Sequence, residues 1–152
     1  MPAPYTYSFL DTQAAIVGPG AAFSIGSGAG VAEEGIDVEP SAEIDAMTIG
    51  ADGSGMHSLV ADKSGKITVR LLKNSPTNAL LSALVAFQRT SGANHGQNTI
   101  TIVNTASGDT ITCQQVGFAK VPSLKYAKEG DVIAWEFNAI QIDIGLGAGV
   151  TQ

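Results

Sequence analysis

The sequence predicts a mainly β fold, a β-sandwich or half-open β-barrel with one flanking α-helix. Three observations predict it. Short apolar runs are punctuated by 18 glycines and six prolines, which favours many strands joined by tight turns. Only residues 75–90 carry a helical spacing of apolar side chains. Two long apolar runs change phase midway, and a phase slip inside a strand means a bulge or a sharp bend. The chain of 152 residues reads as one domain, 1–152, long enough to bury a core without staples.

Tyr5 to Val17 reads as one long or two short strands, turned by Gly18-Pro19-Gly20 into Ala21 to Gly26. Ser27 to Gly35 is a loop of small residues. Ser41 to Ile49 is a strand with Met47 and Ile49 on one face and Ile44 and Ala46 on the other. It turns at Ala51-Asp52-Gly53-Ser54-Gly55, where Asp-Gly is a hairpin signal, and returns along Met56 to Ala61. Lys63-Ser64-Gly65 leads into the cleanest alternation in the chain, Ile67, Val69 and Leu71 against Thr68 and Arg70.

Ser75 is a good N-cap and Pro76 suits the first helical position. Leu80, Leu84 and Phe87 share a face widened by Leu81, and Gly92 is the expected stop. The back of this helix carries Ala79, Ser82, Ala83, Val85 and Ala86, with Arg89 as its only charge. A surface helix on a monomer normally shows water a charged stripe, so another chain is expected to cover this one. Asn98 to Asn104 alternates around Ile100 and Ile102. Thr110 to Ala119 alternates on Ile111 and Cys113, then shifts to Val116 and Phe118. Val132 to Ile144 runs Ile133, Trp135, Phe137, then Ile140, Ile142, Ile144.

Charge is scarce and unevenly placed. Only 14% of residues are charged, against about 25% in ordinary soluble domains, which implies surface hidden from water. Residues 1–62 hold nine acids and no Lys or Arg; all eight basic residues lie between Lys63 and Lys128. Two readings fit. The segments interleave into a mixed surface, or one face is acidic and another basic, which suits head-to-tail stacking of copies. The net charge of −6 argues against a nucleic-acid clamp. No stretch approaches the roughly 20 apolar residues of a membrane span. Met1-Pro2-Ala3-Pro4 has no basic n-region, so the chain reads as cytosolically made and not exported through a cleaved signal.

Catalytic constellations fail on their own terms, and neither an enzyme nor a cofactor is expected. His57 and His95 are the only histidines and have no short-spaced ligand pair for a metal. Gly26-Ser27-Gly28-Ala29-Gly30 lacks the lysine and glycine spacing of a phosphate loop. Gly53-Ser54-Gly55 is not a nucleophile elbow. Cys113, the only cysteine, sits on an apolar strand face and reads as packing. Glu33-Glu34 and Asp37-Glu39 have no apolar surround to raise a pKa and read as a solvated acidic lining.

The order of motifs resembles a known family. Glu39-Pro40-Ser41, Met47 to Gly53, Met56 to Leu59, Ala61 to Gly65, and Val69 to Pro76 with Asn78 look like the tail tube proteins of contractile-tailed phages, similar in fold to the type VI secretion tube subunit. Tyr7-Ser8-Phe9, Val17 to Gly20 and Gly130 to Phe137 fit the same pattern. The resemblance implies rings of about six copies whose sheets form an inner barrel. The rings stack into a tube inside a contractile sheath, with baseplate and tail terminator proteins as further partners. Genomic DNA would pass through without specific binding, and no membrane is involved. Such a subunit would reside in the virion tail, and in the host cytoplasm during assembly.

The resemblance further implies an inter-ring hairpin at Glu43 to Ala61, with Ile49, Asp52, Gly53, Met56 and His57 in contact. The helix would lie outside, with Ala79, Ser82, Ala83, Ala86 and Arg89 against neighbours. Glu33, Glu34, Asp37, Glu39 and Asp143 are the candidate acids of the lumen. The alternative is another phage or type VI-like accessory protein on the same fold, a capsid decoration or an effector carrier. A ligand-binding barrel or hydrolase would need a concave polar pocket, and the sequence offers none.

Overall fold

The computed structural model describes residues 7–26, 31–124, 126–128 and 130–147, the side chains of residues 31–34 aside. A 3-10 turn, Phe9–Asp11, leads into β1 (Thr12–Gly18) and β2 (Ala21–Ser24). β3 (Val31–Pro40) follows, then a hairpin of β4 (Asp45–Ile49) and β5 (Gly55–Leu59). β6 (Gly65–Leu72) precedes α1 (Thr77–Gln88), and β7 (Asn98–Asn104), β8 (Asp109–Lys120) and β9 (Val132–Gly145) complete the chain. The small-residue loop expected to run to Gly35 is shorter than that, because the strand starts at Val31. Residues 1–6 and 27–30 lie outside the described ones.

Seven strands form one antiparallel sheet in the order β2-β1-β7-β8-β9-β6-β3, and β4 and β5 pair only with each other. β2 and β3 follow each other in the chain yet occupy opposite edges. Six strand spacings in a flat sheet would separate those edges by about 29 Å. The step from Ser24 to Val31 reaches at most about 25 Å. The sheet therefore curls on itself without closing. Inside the curl Ile16, Ile67, Val69, Leu71, Ile100, Cys113, Val116 and Phe137 are buried in one cluster that also takes Leu81 and Leu84 from α1.

Both anticipated phase slips are present, at the same level of the sheet. In β8, Cys113 and Val116 both point inward; the register against β7 shifts between Asn98 and Ile100, and Gln115 takes φ 53°. In β9, Ala139 and Ile142 both point inward. Here the slip comes two residues later than the sequence puts it: Ile140, expected inside, is 64% exposed, and Ala139 occupies the core. Gln114 pairs with Gln141 and Val116 with Ala139, so the two strands bend together.

The helix stands where the sequence puts it but is rolled. Its buried residues are Thr77, Leu81, Leu84, Val85 and Gln88, whereas Leu80 and Phe87, expected inside, are each 47% exposed. The cause is a buried amide pair. Gln88 Nε2 donates to Asn98 Oδ1 at 2.6 Å, and Asn98 Nδ2 donates back to Gln88 Oε1 at 2.8 Å. Gln88 Nε2 also reaches the Pro19 carbonyl at 3.4 Å. At the other end Asn78 Oδ1 accepts from Trp135 Nε1 at 3.0 Å, and Asn78 Nδ2 donates to the Leu72 carbonyl at 2.9 Å. α1 is thus tied by its last turn to β7 and by its first to β6 and β9. The N-cap is Pro76, one residue later than the sequence puts it, and the Ser75 hydroxyl just ahead of it accepts from the Thr77 amide at 3.3 Å. The helix ends at Gln88 with Arg89 as C-cap, ahead of Gly92.

Candidate interaction surfaces

Three surfaces stand out: two expose apolar or uncharged side chains that the chain does not cover, and the third carries ion pairs. The first is the β4–β5 arm. All ten of its strand residues are exposed, Met47 at 61%, Ile49 at 56% and Met56 at 59%. Asp45 pairs with Leu59, Met47 with His57 and Ile49 with Gly55. Strand alternation puts these six on one face, with Ala46, Thr48, Met56 and Ser58 on the other. Apolar groups therefore occur on both faces, and neither has a core of its own. His57 Nδ1 stands 2.7 Å from Asp45 Oδ2 across the strands.

The tip is ordered by its own hydrogen bonds. The Gly50 amide donates to the Ser54 carbonyl at 2.7 Å, and Gly53 turns the chain at φ 88°, a conformation that favours glycine. Asp52 Oδ1 accepts from the Ser54 amide at 3.0 Å. The Ser54 backbone bond first, then its hydroxyl, hold this carboxyl below the usual carboxylate range. The structure thus places Ile49, Asp52, Gly53, Met56 and His57 together on the outer half of the arm.

The second surface is the outer side of α1. Ala79, Ser82, Ala83, Ala86 and Arg89 are exposed, as the sequence anticipates. The roll of the helix adds Leu80 and Phe87 and withdraws Val85, which is 9% exposed. The Phe87 ring lies over Gly20, where a β-carbon would come within 2.8 Å of it. No sequence signal marks Phe87 as outward, because its displacement depends on the distant Asn98.

The third surface is the outer face of the sheet, and there the charged segments interleave. Arg70 on β6 meets Asp37 on β3 at 2.6 Å, Lys120 meets Glu136 at 3.5 Å, and Lys63 meets Asp143 at 3.2 Å. Gln141 also donates to Asp143 at 2.9 Å; this bond first, then Lys63, lowers the Asp143 carboxyl from its ordinary pKa. Of the candidate lumen acids, Asp37 and Asp143 are therefore ion-paired. Glu39 is exposed on β3 opposite Lys66. Glu33 and Glu34 lie on β3, but their side chains fall outside the described ones.

Among the described residues no three His, Cys, Asp or Glu side chains cluster as a metal site would need. Cys113 is fully buried. Burial first, and the Asp143 charge second, push its thiol up to about 11. The thiolate is the reactive form, so at pH 8 alkylation of the native chain is expected to run at least about a hundredfold slower than in denaturant. Equal rates in the two conditions, read by mass spectrometry, would contradict this burial.

Residues 5–147 match the family model described as the bacteriophage PhiTE tail tube protein. The chain belongs to that family. No curated protein sequence matches it. Several solved structures share the fold of this tail tube family member. A chain in the baseplate of the anti-feeding prophage, 6-fold symmetrised, is similar with a TM-score of 0.59 at 11% identity, covering 95% of this chain and 97% of that one. A chain in the sheath/tube terminator of the PVC extracellular contractile injection system gives 0.58 at 15%, with 93% and 98% covered. A chain in the extended PVC sheath-tube complex gives 0.52 at 14%, with 88% of each covered. The family and these neighbours are structural tube, terminator and baseplate components rather than enzymes.

Proposed function

We propose that this tail tube protein assembles into rings of about six copies that stack head to tail into a hollow tube within a contractile sheath. The observation that carries the reading is the β4–β5 arm, exposed along its whole length, with Met47, Ile49 and Met56 uncovered. Exposed apolar patches of this kind mark interaction sites. The outer side of α1, with Arg89 as its only charge and Leu80 and Phe87 half-exposed, supplies a second contact within the ring or toward the sheath. The fold neighbours, drawn from a sheath-tube complex, a sheath/tube terminator and a baseplate, support sheath, terminator and baseplate proteins as partners. The tube belongs to the virion tail and is built in the host cytoplasm.

Genomic DNA passes through the lumen without specific binding, since like charge keeps a polyanion from sticking. Glu39, exposed and outside any ion pair among the described residues, is the acid best placed on β3 to contribute; Asp37 and Asp143 are partly neutralised.

Negative-stain imaging of purified protein tests the reading, with rings and tubes expected. Ala83→Glu and Ala86→Glu each place a carboxylate on the exposed helix side and should cut the assembled fraction about tenfold or more, while circular dichroism stays native. Wild-type assembly in both variants would remove the helix contact, and a wild-type chain that stays monomeric at high concentration would remove the whole reading. Likeness to the anti-feeding prophage tube-terminating cap, TM-score 0.56 at 11% identity, favours a second reading, a single terminal ring. Tubes many rings long would exclude it.

A further inference from the structure

Two cavities adjoin His95, in the segment between α1 and β7. The first, about 270 Å³, is lined by Val85, Phe118 and Val121 together with Arg89, His95 and Lys120. Val85 and Phe118 are buried and form its floor, whereas the three basic residues are exposed and form its rim. The second, about 360 Å³, is also lined by His95 and Phe118, and further by Gln97, Gln115, Asn138 and Ile140. A β-carbon at Gly117 would stand 3.2 Å from Cε1 and Nε2 of His95, so this ring rests directly on the backbone of β8.

No carboxylate lines either cavity, in a chain whose net charge is −6. Arg89 is in no ion pair among the described residues, and Lys120 has only the 3.5 Å contact with Glu136. An exposed pair of that kind is worth little and leaves further ammonium protons to donate. Guanidinium, imidazole and ammonium groups thus surround one opening, and a carboxylate is the acceptor that a guanidinium matches with two parallel hydrogen bonds. The apolar floor selects a carboxylate that carries hydrocarbon with it over a bare ion. The amides of Gln97, Gln115 and Asn138 both donate and accept, as a peptide backbone requires of its partners. From Gln115 to Lys120 β8 rises about 16 Å, the length of about five extended residues.

We propose that this cleft binds an extended acidic peptide of another protein. A Glu or Asp carboxylate lies against Arg89 and Lys120, an apolar side chain covers Phe118 and Val121, and the backbone follows Gln97, Gln115 and Asn138. Within this chain Asp37, Asp45 and Asp143 already sit in pairs on strands, so the extended acidic segment comes from elsewhere. The site goes beyond the tube reading and does not depend on it.

Fluorescence anisotropy on the full-length chain at low salt tests it. The probe is an end-blocked, fluorescein-labelled peptide, Leu-Glu-Val-Glu-Leu, which should bind about tenfold or more tightly than its counterpart with Gln in place of Glu. Arg89→Gln and Lys120→Gln should each weaken binding of the acidic probe about tenfold, with native circular dichroism. Lys66→Gln removes an equal charge from an exposed position on β6 and should leave binding unchanged. No binding to the wild-type chain, equal binding of the two peptides, or an equal loss in Lys66→Gln would overturn the site. Lys120→Gln should also form rings and tubes at wild-type yield. A fall in that yield would seat a second copy of the chain in the cleft and overturn the proposed partner. A wild-type chain that binds the peptide yet forms neither rings nor tubes would overturn the tube reading and leave the site standing.

Discussion

Phe137→Ala is expected to lower the unfolding free energy of the dispersed subunit by about 4 kcal/mol. Phe137 is fully buried in β9, opposite Ile67 on β6 and Phe118 on β8. Its ring centre lies 4.8 Å from that of Phe118, whose own ring meets Trp135 edge-on at 6.1 Å. Truncation removes the apolar area and leaves a hole between two strands that are hydrogen-bonded along their length and cannot close over it. With total stability of roughly 5–15 kcal/mol for a domain, this single change consumes a large share. Equilibrium urea unfolding measures it, with Phe87→Ala as the contrast: that ring is half-exposed and should cost about 1 kcal/mol. Equal losses at the two positions would contradict the rolled helix.

Gly18→Ala is expected to cost about 3 kcal/mol, although it adds only a methyl group to a residue outside the hydrophobic cluster. A β-carbon at Gly18 would run into Asn98 Oδ1 and crowd Gln88 Nε2. These two atoms make one of the reciprocal hydrogen bonds that fix the last turn of α1 to β7. The methyl group must part the amides, and a buried amide left without its partner costs about 1–3 kcal/mol beyond the steric strain. Gly92→Ala serves as control, because nothing lies within 4 Å of a β-carbon there, and it should stay within about 0.5 kcal/mol of the wild type. Thermal melts of the two variants separate these outcomes; a Gly18→Ala melt matching that of Gly92→Ala would contradict the role given to the amide pair.

The strands were legible because their signals are local. Ile67, Val69 and Leu71 alternate with polar neighbours over a stretch that needs no distant partner to be read, and the slip from Cys113 to Val116 in β8 follows from spacing alone. The helix was half legible. Its position follows from Ser75, Pro76 and the leucines, but its roll, roughly 50° on a 100°-per-residue wheel, depends on burying Gln88, which no hydrophobicity pattern favours. Asn98, ten residues on, together with the Pro19 carbonyl makes that burial tolerable. In β9 the small Ala139 takes the inward place that size alone would give to Ile140. Among the interaction surfaces, the arm follows from Asp52-Gly53 and its flanking strands. A groove lined by Lys73 and Asp131 does not, because those residues lie on separate stretches of sequence that the Leu72–Val132 pairing brings together.

The arm's isolation has a kinetic side. Two strands of five residues each, paired only with one another, are marginally stable in water. If the arm makes the ring contact proposed above, contact with an existing ring end would supply the partner surface that such a hairpin lacks alone. Growth from a seed would then outpace spontaneous nucleation.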